Sequence, residues 1–322
     1  MLSGIRPATG CILASSFDEG GDAWKVGVDD AGHPCILVQP ISRGHKKAAA
    51  IALENFEAQF QVRCTLQHAD GTTQTAHYTL LRLTSKRLAD RAVFFSVCET
   101  IRDLVGREPD ESSLYQAVAR LVALFRRLLL PPTRTNIGLF GEMVFILEAR
   151  SASTAIQAWR NDEYDRYDFS TPNLRIEVKT TSQPQRIHEF SYEQCDVGGD
   201  IKGVVASIIV ERASSGTNVL QLQNLIEERL TGDYASLLKL RSVVAETIQG
   251  EENSGHGITF DLAKAKRSLA IYNLESIPAV RGVLQVGVSS VRFKSNLDLC
   301  TPLKVIDLIA EFSESETIFP GR

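Results

Sequence analysis

The chain has 322 residues, which at about 150 residues per domain holds one large domain or two ordinary ones. Apolar residues make up 43% and charged residues 23%, with no repeat or low-complexity stretch, which excludes a disordered tail, a collagen or a coiled-coil rod. With 35 basic and 39 acidic residues the net charge is −4, so no broad basic surface exists to hold nucleic acid by counterion release, and any DNA contact must be local or helped by a partner.

The start, MLSGIRPATGCILAS, carries one Arg and a three-residue apolar stretch, far short of a signal peptide. No apolar run approaches the roughly 18 residues of a membrane crossing, so no membrane role is expected. The six cysteines, Cys11, Cys35, Cys64, Cys98, Cys195 and Cys300, lie far apart without a C-x-x-C pair; reduced thiols in a cytoplasmic protein are the expectation.

In chain order, the first third reads as mainly β. Strands are expected at Trp24 to Val28, Ile36 to Val38, Phe56 to Gln67 and Thr72 to Leu83, the last two joined by a hairpin turn at Asp70-Gly71. A helix over Leu88 to Val105 follows, then a second, capped by Asp110 or Ser112 and running to Leu130, where Pro131-Pro132 stops it. Its helically spaced Leu114, Ala117, Val118, Leu121, Leu124, Phe125 and Leu128 form a core face that leaves Arg120, Arg126 and Arg127 pointing elsewhere. A boundary is placed here, which gives a β-rich N-terminal region with helices over 1–132, an α/β module over 133–215 and an α+β region over 216–322.

Within the module, a helix over Asn136 to Arg150 is apolar nearly all round, with Leu139, Phe140, Met143, Val144, Ile146 and Leu147. Glu142 interrupts that run. Gly138 lies one turn before it and Gly141 beside it, which lets another backbone or a hydrated ion come close. A carboxylate buried there needs a cation, a hydrogen bond or a metal-bound water.

Two strands follow. In Tyr167-Asp168-Phe169 the alternation sends two rings to one side and Asp168 to the other. In Leu174 to Thr181 it sends Leu174, Ile176 and Val178 to an apolar face, and Arg175, Glu177, Lys179 and Thr181 to a fully polar one. Ser170-Thr171-Pro172-Asn173 is a turn. An even loop centred on Pro172-Asn173 pairs Asp168 with Glu177, their carboxylates about 5 Å apart. Proline does not suit a two-residue primed turn, so a longer loop with a register slip stays open. Like charges facing each other need a cation between them, and a hard divalent ion held by carboxylate and backbone oxygens is the obvious candidate. Ser191 and Gln194 have capping-box spacing and start a short helix, and Val204 to Val210 reads as a strand covered on both faces. The last third shows helices at Leu220 to Leu230 and Ala235 to Ile248 and a strand at Val280 to Phe293.

The order Glu142 on a helix, Asp168 on a strand, then Glu177-Val178-Lys179 on the next resembles the PD-(D/E)XK nuclease superfamily. More narrowly, Gly138-Leu139-Phe140-Gly141-Glu142, Ala158-Trp159, Asp168-Phe169, Glu177-Val178-Lys179-Thr180-Thr181, His188 and Glu193-Gln194 resemble a bacterial family of unknown function assigned to it, over most of the chain. Tyr167 departs from the Pro of the superfamily name, and Cys195 stands where an apolar residue such as Leu is expected. The resemblance implies a restriction-endonuclease-like α/β core, a mixed sheet flanked by helices. It implies that Asp168, Glu177 and the Val178 carbonyl hold Mg2+, with Mn2+ as a substitute, that Lys179 positions the attacking water, and that Glu142 holds metal-bound water or a second ion. It further implies a metal-dependent DNA endonuclease of a restriction or phage-defence system. The acidic balance, the scattered basic residues and the first and last thirds, for which no chemical role is read, lead to the expectation of a partner such as an ATPase or DNA methyltransferase subunit. A homodimer stays open. The alternative is a catalytically silent DNA-binding or scaffold subunit of the same fold.

The plainer readings are these: Glu177 and Lys179 an exposed strand pair, His188 a structural residue, Trp159 core, and Asp162-Glu163-Tyr164-Asp165 a solvated loop. Arg43, His45, Lys46 and Lys47, and Lys264, Lys266 and Arg267, are wet surface unless they hold phosphates.

Overall fold

A computed structural model describes residues 7–17, 23–41, 48–68, 70–130, 132, 134–160, 165–198, 201–248, 258–304, 306–308, 312 and 317–321; the run Arg43, His45, Lys46 and Lys47, and the residues Asp162, Glu163 and Tyr164, lie outside these. The chain is a mixed α/β protein of two units, 1–131 and 132–322. No described helix is long and apolar enough to cross a membrane.

The first unit carries β1 (Cys11–Ser16), β2 (Trp24–Asp29), β3 (Pro34–Val38), β4 (Ile51–Ala52), β5 (Phe56–Gln67) and β6 (Thr73–Leu83). They run in the order β1-β2-β3-β6-β5-β4, and β1 also pairs in parallel with β5, which closes a ring of five strands. Ile12, Ala14, Cys35, Leu37, Cys64, Leu66, Tyr78 and Leu80 form one buried cluster of this sheet. The hairpin of β5 and β6 turns as expected: Gly71 takes φ +84, and the Asp70 carboxylate accepts from the Thr72 N–H at 2.9 Å.

Two helices follow, α1 (Leu88–Val105) and α2 (Glu111–Arg127). The Asp110 carboxylate caps α2 by accepting from the Ser112 and Ser113 N–H groups. The seven apolar positions read as its core face are all buried. The helix ends at Arg127, short of the expected Leu130: Leu128 is its C-cap, and Leu129 and Leu130 are exposed beyond it, with no core to bury them.

In the second unit α3 (Asn136–Glu148) and α4 (Ala152–Ala158) precede β7 (Phe169–Ser170) and β8 (Leu174–Thr181). Next come β9 (Ile187–Ser191) and a 3-10 turn at Tyr192–Cys195, which opens on the Ser191/Gln194 capping box. After these come β10 (Lys202–Ile209), β11 (Arg212–Thr217), α5 (Val219–Glu227), α6 (Tyr234–Ile248), α7 (Leu262–Ser268), β12 (Ala270–Asn273) and β13 (Arg292–Asn296). The sheet order is β12-β10-β8-β7, with β8 and β10 parallel and both edge strands antiparallel; β13 and β9 form a separate pair. One buried cluster joins α3, α4 and Ile176 and Val178 of β8 to Val219, Leu222, Leu240, Val244 and Phe319, so residues beyond 216 share a core with those before it.

Three expectations are corrected. Most of Val280 to Phe293 is not strand, and only Arg292–Asn296 is. Gly282, Gly287 and Ser290 take positive φ, which breaks an extended run, and Val283 and Val286 stand fully exposed. The polar face of β8 is partly covered by apolar side chains: Val205, its neighbour across the ladder from Glu177, joins Tyr167, Phe190, Cys195, Tyr272 and Leu274 in a second apolar cluster, and Glu177 is buried. Tyr167 and Phe169 lie in different clusters, because the ladder of β7 begins only at Phe169.

Gly141 is required by packing. A Cβ there would lie 1.8 Å from Thr180 Oγ1 and 3.0 Å from Thr180 Cβ, so what comes close to α3 is the side chain of β8. Gly141→Ala is expected to destabilise the chain by about 1–3 kcal/mol in denaturant unfolding, and Gly141→Ala with Thr180→Ala by less, since the nearest atom is gone. Unchanged stability in Gly141→Ala would contradict this packing.

Candidate active site

The β7–β8 register brings the site together. Phe169 lies opposite Ile176 and Ser170 opposite Arg175, and the Thr171 N–H donates to the Leu174 carbonyl at 2.9 Å. The loop is therefore the two residues Pro172 and Asn173 without a slip, the register that carries Asp168 opposite Glu177. One step beyond Phe169 the backbone ladder stops and a side chain takes over: Asp168 Oδ2 accepts the Val178 N–H at 2.8 Å. In a continued antiparallel ladder that N–H would go to the Tyr167 carbonyl. Freed from it, Tyr167 turns into the second cluster, where its hydroxyl donates to the Asp196 carbonyl at 3.2 Å.

On its other edge β7 meets the end of α4. Trp159 bridges to Phe169, and the Arg160 N–H donates to the Asp168 carbonyl at 2.8 Å. Lys239 fixes this segment from α6 by donating to the Trp159 carbonyl. The Trp159 indole then donates to Glu142 Oε2 at 2.6 Å, so Trp159 is buried, as read, and also holds the helix carboxylate.

Glu142, Asp168 and Glu177 are each no more than 5% exposed. Arg134 Nε lies 3.4 Å from Glu142 Oε2; Arg160 lies between two of the carboxylates, Nε 3.4 Å from Asp168 Oδ1 and Nη2 3.9 Å from Glu142 Oε1. Lys179 Nζ is 2.7 Å from Glu177 Oε1 and over the Phe190 ring, and Gln194 Nε2 donates to the same Oε1 at 2.6 Å. The four residues read from the sequence thus share one place. Arg134, Arg160 and the Gln194 contact were not foreseen. The available signal was that a buried Glu142 needs a cation, and Arg160 adjoins Trp159 in the resembling set.

Burial raises the pKa of Glu142 and of Glu177, and the charge of Asp168 raises both further, against the opposing pull of Arg134 on the first and Lys179 on the second. Burial works against the charge of Arg160, yet Asp168, Glu142 and Glu177 outweigh it and hold its pKa above the ordinary value. His188 is pushed down to about 4, mainly by burial and then by Lys179 and Arg186; its Nε2 and the Ser207 hydroxyl lie 2.7 Å apart, so it is a neutral structural residue. Burial likewise raises the Cys195 thiol, which stays neutral in the apolar position.

Among the described residues no group of three or more His, Cys, Asp or Glu side chains is arranged to hold a metal ion. The donor set here is two carboxylates and a main-chain carbonyl, and it fits a hard divalent ion: Glu177 Oε2 is buried without a hydrogen-bond partner, beside Asp168. Of the basic runs, Lys264 pairs with Glu211 and Lys266 with Glu148 on the surface of α7.

The raised carboxyl groups set the sign of a pH effect. As pH climbs past the ordinary carboxylate value the unfolded chain releases these protons first, so the metal-free protein loses stability until the raised folded values are passed. The melting temperature without metal is expected to fall between about pH 5 and about pH 8, and Glu177→Gln to remove much of that slope. An identical slope in both proteins would contradict the assignment.

No curated protein and no solved structure matches the chain. One family model does, over residues 18–298, described as "Putative PD-(D/E)XK family member, (DUF4420)". That span takes in the second unit through Asp298, with Glu142, Asp168, Glu177 and Lys179, and most of the first unit. The chain therefore belongs to this nuclease-like family.

Proposed function

We propose that this chain is a divalent-metal-dependent endodeoxyribonuclease with a restriction-endonuclease-like core, acting as a subunit of a bacterial restriction or phage-defence system. The observation that carries the reading is the pairing of β7 with β8: it buries two carboxylates side by side, one with an oxygen left without a partner, and sets Lys179 2.7 Å from that same Glu177. Family membership supports the nuclease class.

Asp168, Glu177 and the Val178 carbonyl would hold Mg2+, with Mn2+ able to replace it, and Glu142 would hold metal-bound water or a second ion. Bound there, the ion would supply charge to a phosphate oxygen. Lys179, whose ammonium head is a compact charge, positions the attacking water and offsets developing charge. Trp159 keeps Glu142 in place and Gln194 orients Glu177. Asp168→Ala and Glu177→Ala should each abolish cleavage of DNA in Mg2+, and Lys179→Ala should lower its rate by about 100- to 1,000-fold while leaving metal binding intact. Full activity in Asp168→Ala would overturn the reading.

A second reading, a catalytically silent DNA-binding or scaffold subunit, is favoured by one observation: Arg134, Arg160 and Lys179 already offset the three carboxylates without an ion. Indifference of every function to chelator would decide for it.

We place the protein in the cytoplasm, where its six unpaired thiols are at home, with DNA as substrate and an ATPase or DNA methyltransferase subunit as partner. The net charge of −4 supports the need for a partner, as does the pairing of Lys264 and Lys266 with acids. Alone, at physiological salt, the chain should bind DNA no tighter than about 1 μM in a titration; nanomolar binding with efficient cutting would refute this dependence.

A further inference from the structure

Arg160 is held at its backbone and loose at its head. Its N–H is bonded to the Asp168 carbonyl at 2.8 Å, its own carbonyl accepts from Arg134 Nη2 at 3.2 Å, and the preceding Trp159 is anchored by Lys239. The guanidinium, by contrast, reaches Asp168 at 3.4 Å and Glu142 at 3.9 Å, beyond the roughly 2.7–2.9 Å of a charge-assisted bond, and its buried Nε has no hydrogen-bond partner. Its side chain is also the most exposed of the three cations, at 25% against 19% for Lys179 and 10% for Arg134. Arg134 lies over the Trp159 ring, and Lys179 is tied to Glu177 at 2.7 Å.

Three carboxyl groups therefore face three cationic side chains. A divalent ion entering beside Asp168 and Glu177 adds positive charge within a few ångströms of a guanidinium, in surroundings of low dielectric, and the like charges repel. One cation has to yield, and Arg160 is the one with the weakest bonds and the way to solvent. Resting on the metal-dependent reading above, we infer that the Arg160 guanidinium is the resident counter-ion of the metal-free site: it offsets the carboxylates until the divalent ion arrives, and then gives way to it. Arg160 is in this sense a positioning residue that sets metal affinity.

The experiment is calorimetric titration of the full chain with Mn2+ alone, comparing wild type, Arg160→Gln and Arg160→Lys. Arg160→Gln is expected to bind Mn2+ about tenfold more tightly and to melt lower without metal, with Mn2+ restoring the loss, while Arg160→Lys, which keeps the charge, stays near wild type. Binding by Arg160→Gln where wild type shows none also supports the inference. Equal or weaker binding in Arg160→Gln, with wild type binding, overturns the inference and leaves the metal site standing. No binding by either protein overturns the metal-dependent reading and the inference with it. Should Arg160→Gln not fold, the wild type still decides: the Arg160 Nε–H resonance, identified by its loss in Arg160→Lys, must shift as Mg2+ saturates the site, and a saturated site with an unmoved resonance overturns the inference.

Discussion

Three carboxyl groups buried in one place repel one another, and their surroundings are arranged to offset that repulsion. Glu142 has the Trp159 indole and Arg134, Asp168 has the Val178 N–H and Arg160, and Glu177 has Lys179 and Gln194. The six partners come from four places in the chain: Arg134 from the segment before α3, Trp159 and Arg160 from the end of α4, Val178 and Lys179 from β8 itself, and Gln194 from the capping-box turn. A buried carboxylate stripped of its partner costs several kcal/mol, so these elements are bound to one another through the site as well as through the apolar core.

Two local features make the arrangement possible. The two-residue turn at Pro172 and Asn173 fixes the register, and a shift by one residue would send Glu177 to the opposite face from Asp168. Gly141 lets Thr180 of β8 reach the helix, so that Glu142 comes down beside the sheet edge, where Arg160 waits. Stability and function pull against each other here. A chain selected for stability alone would replace at least one carboxylate with an apolar residue.

What the sequence displays well is what short-range physics controls. The period-two pattern of Leu174 to Thr181, the even loop, the Ser191/Gln194 capping box and the apolar faces of α2 and α3 each depend on neighbours a few residues away, and each is found. Contacts made at long range are not visible in that way. A buried Glu142 calls for a cation, but its spacing does not say that Arg134 and Arg160 supply it; the parallel pairing of β1 with β5 joins segments 54 residues apart at Cys11 and Thr65, and Val205, Tyr272 and Leu274 cover a face of β8 that looks wholly polar in sequence. Tyr167 shows the remaining limit: alternation places it with Phe169, but alternation holds only while the ladder continues, and the Asp168 carboxylate ends it.

Asp168 and Glu177 are the proposed seat of a divalent ion. The most direct measurement is the anomalous difference density of a crystal grown with Mn2+. The expected result is a peak touched by both carboxylates and the Val178 carbonyl, with the Arg160 guanidinium displaced from Asp168. Density without such a peak, and Arg160 still beside Asp168 at saturating Mn2+, would contradict it.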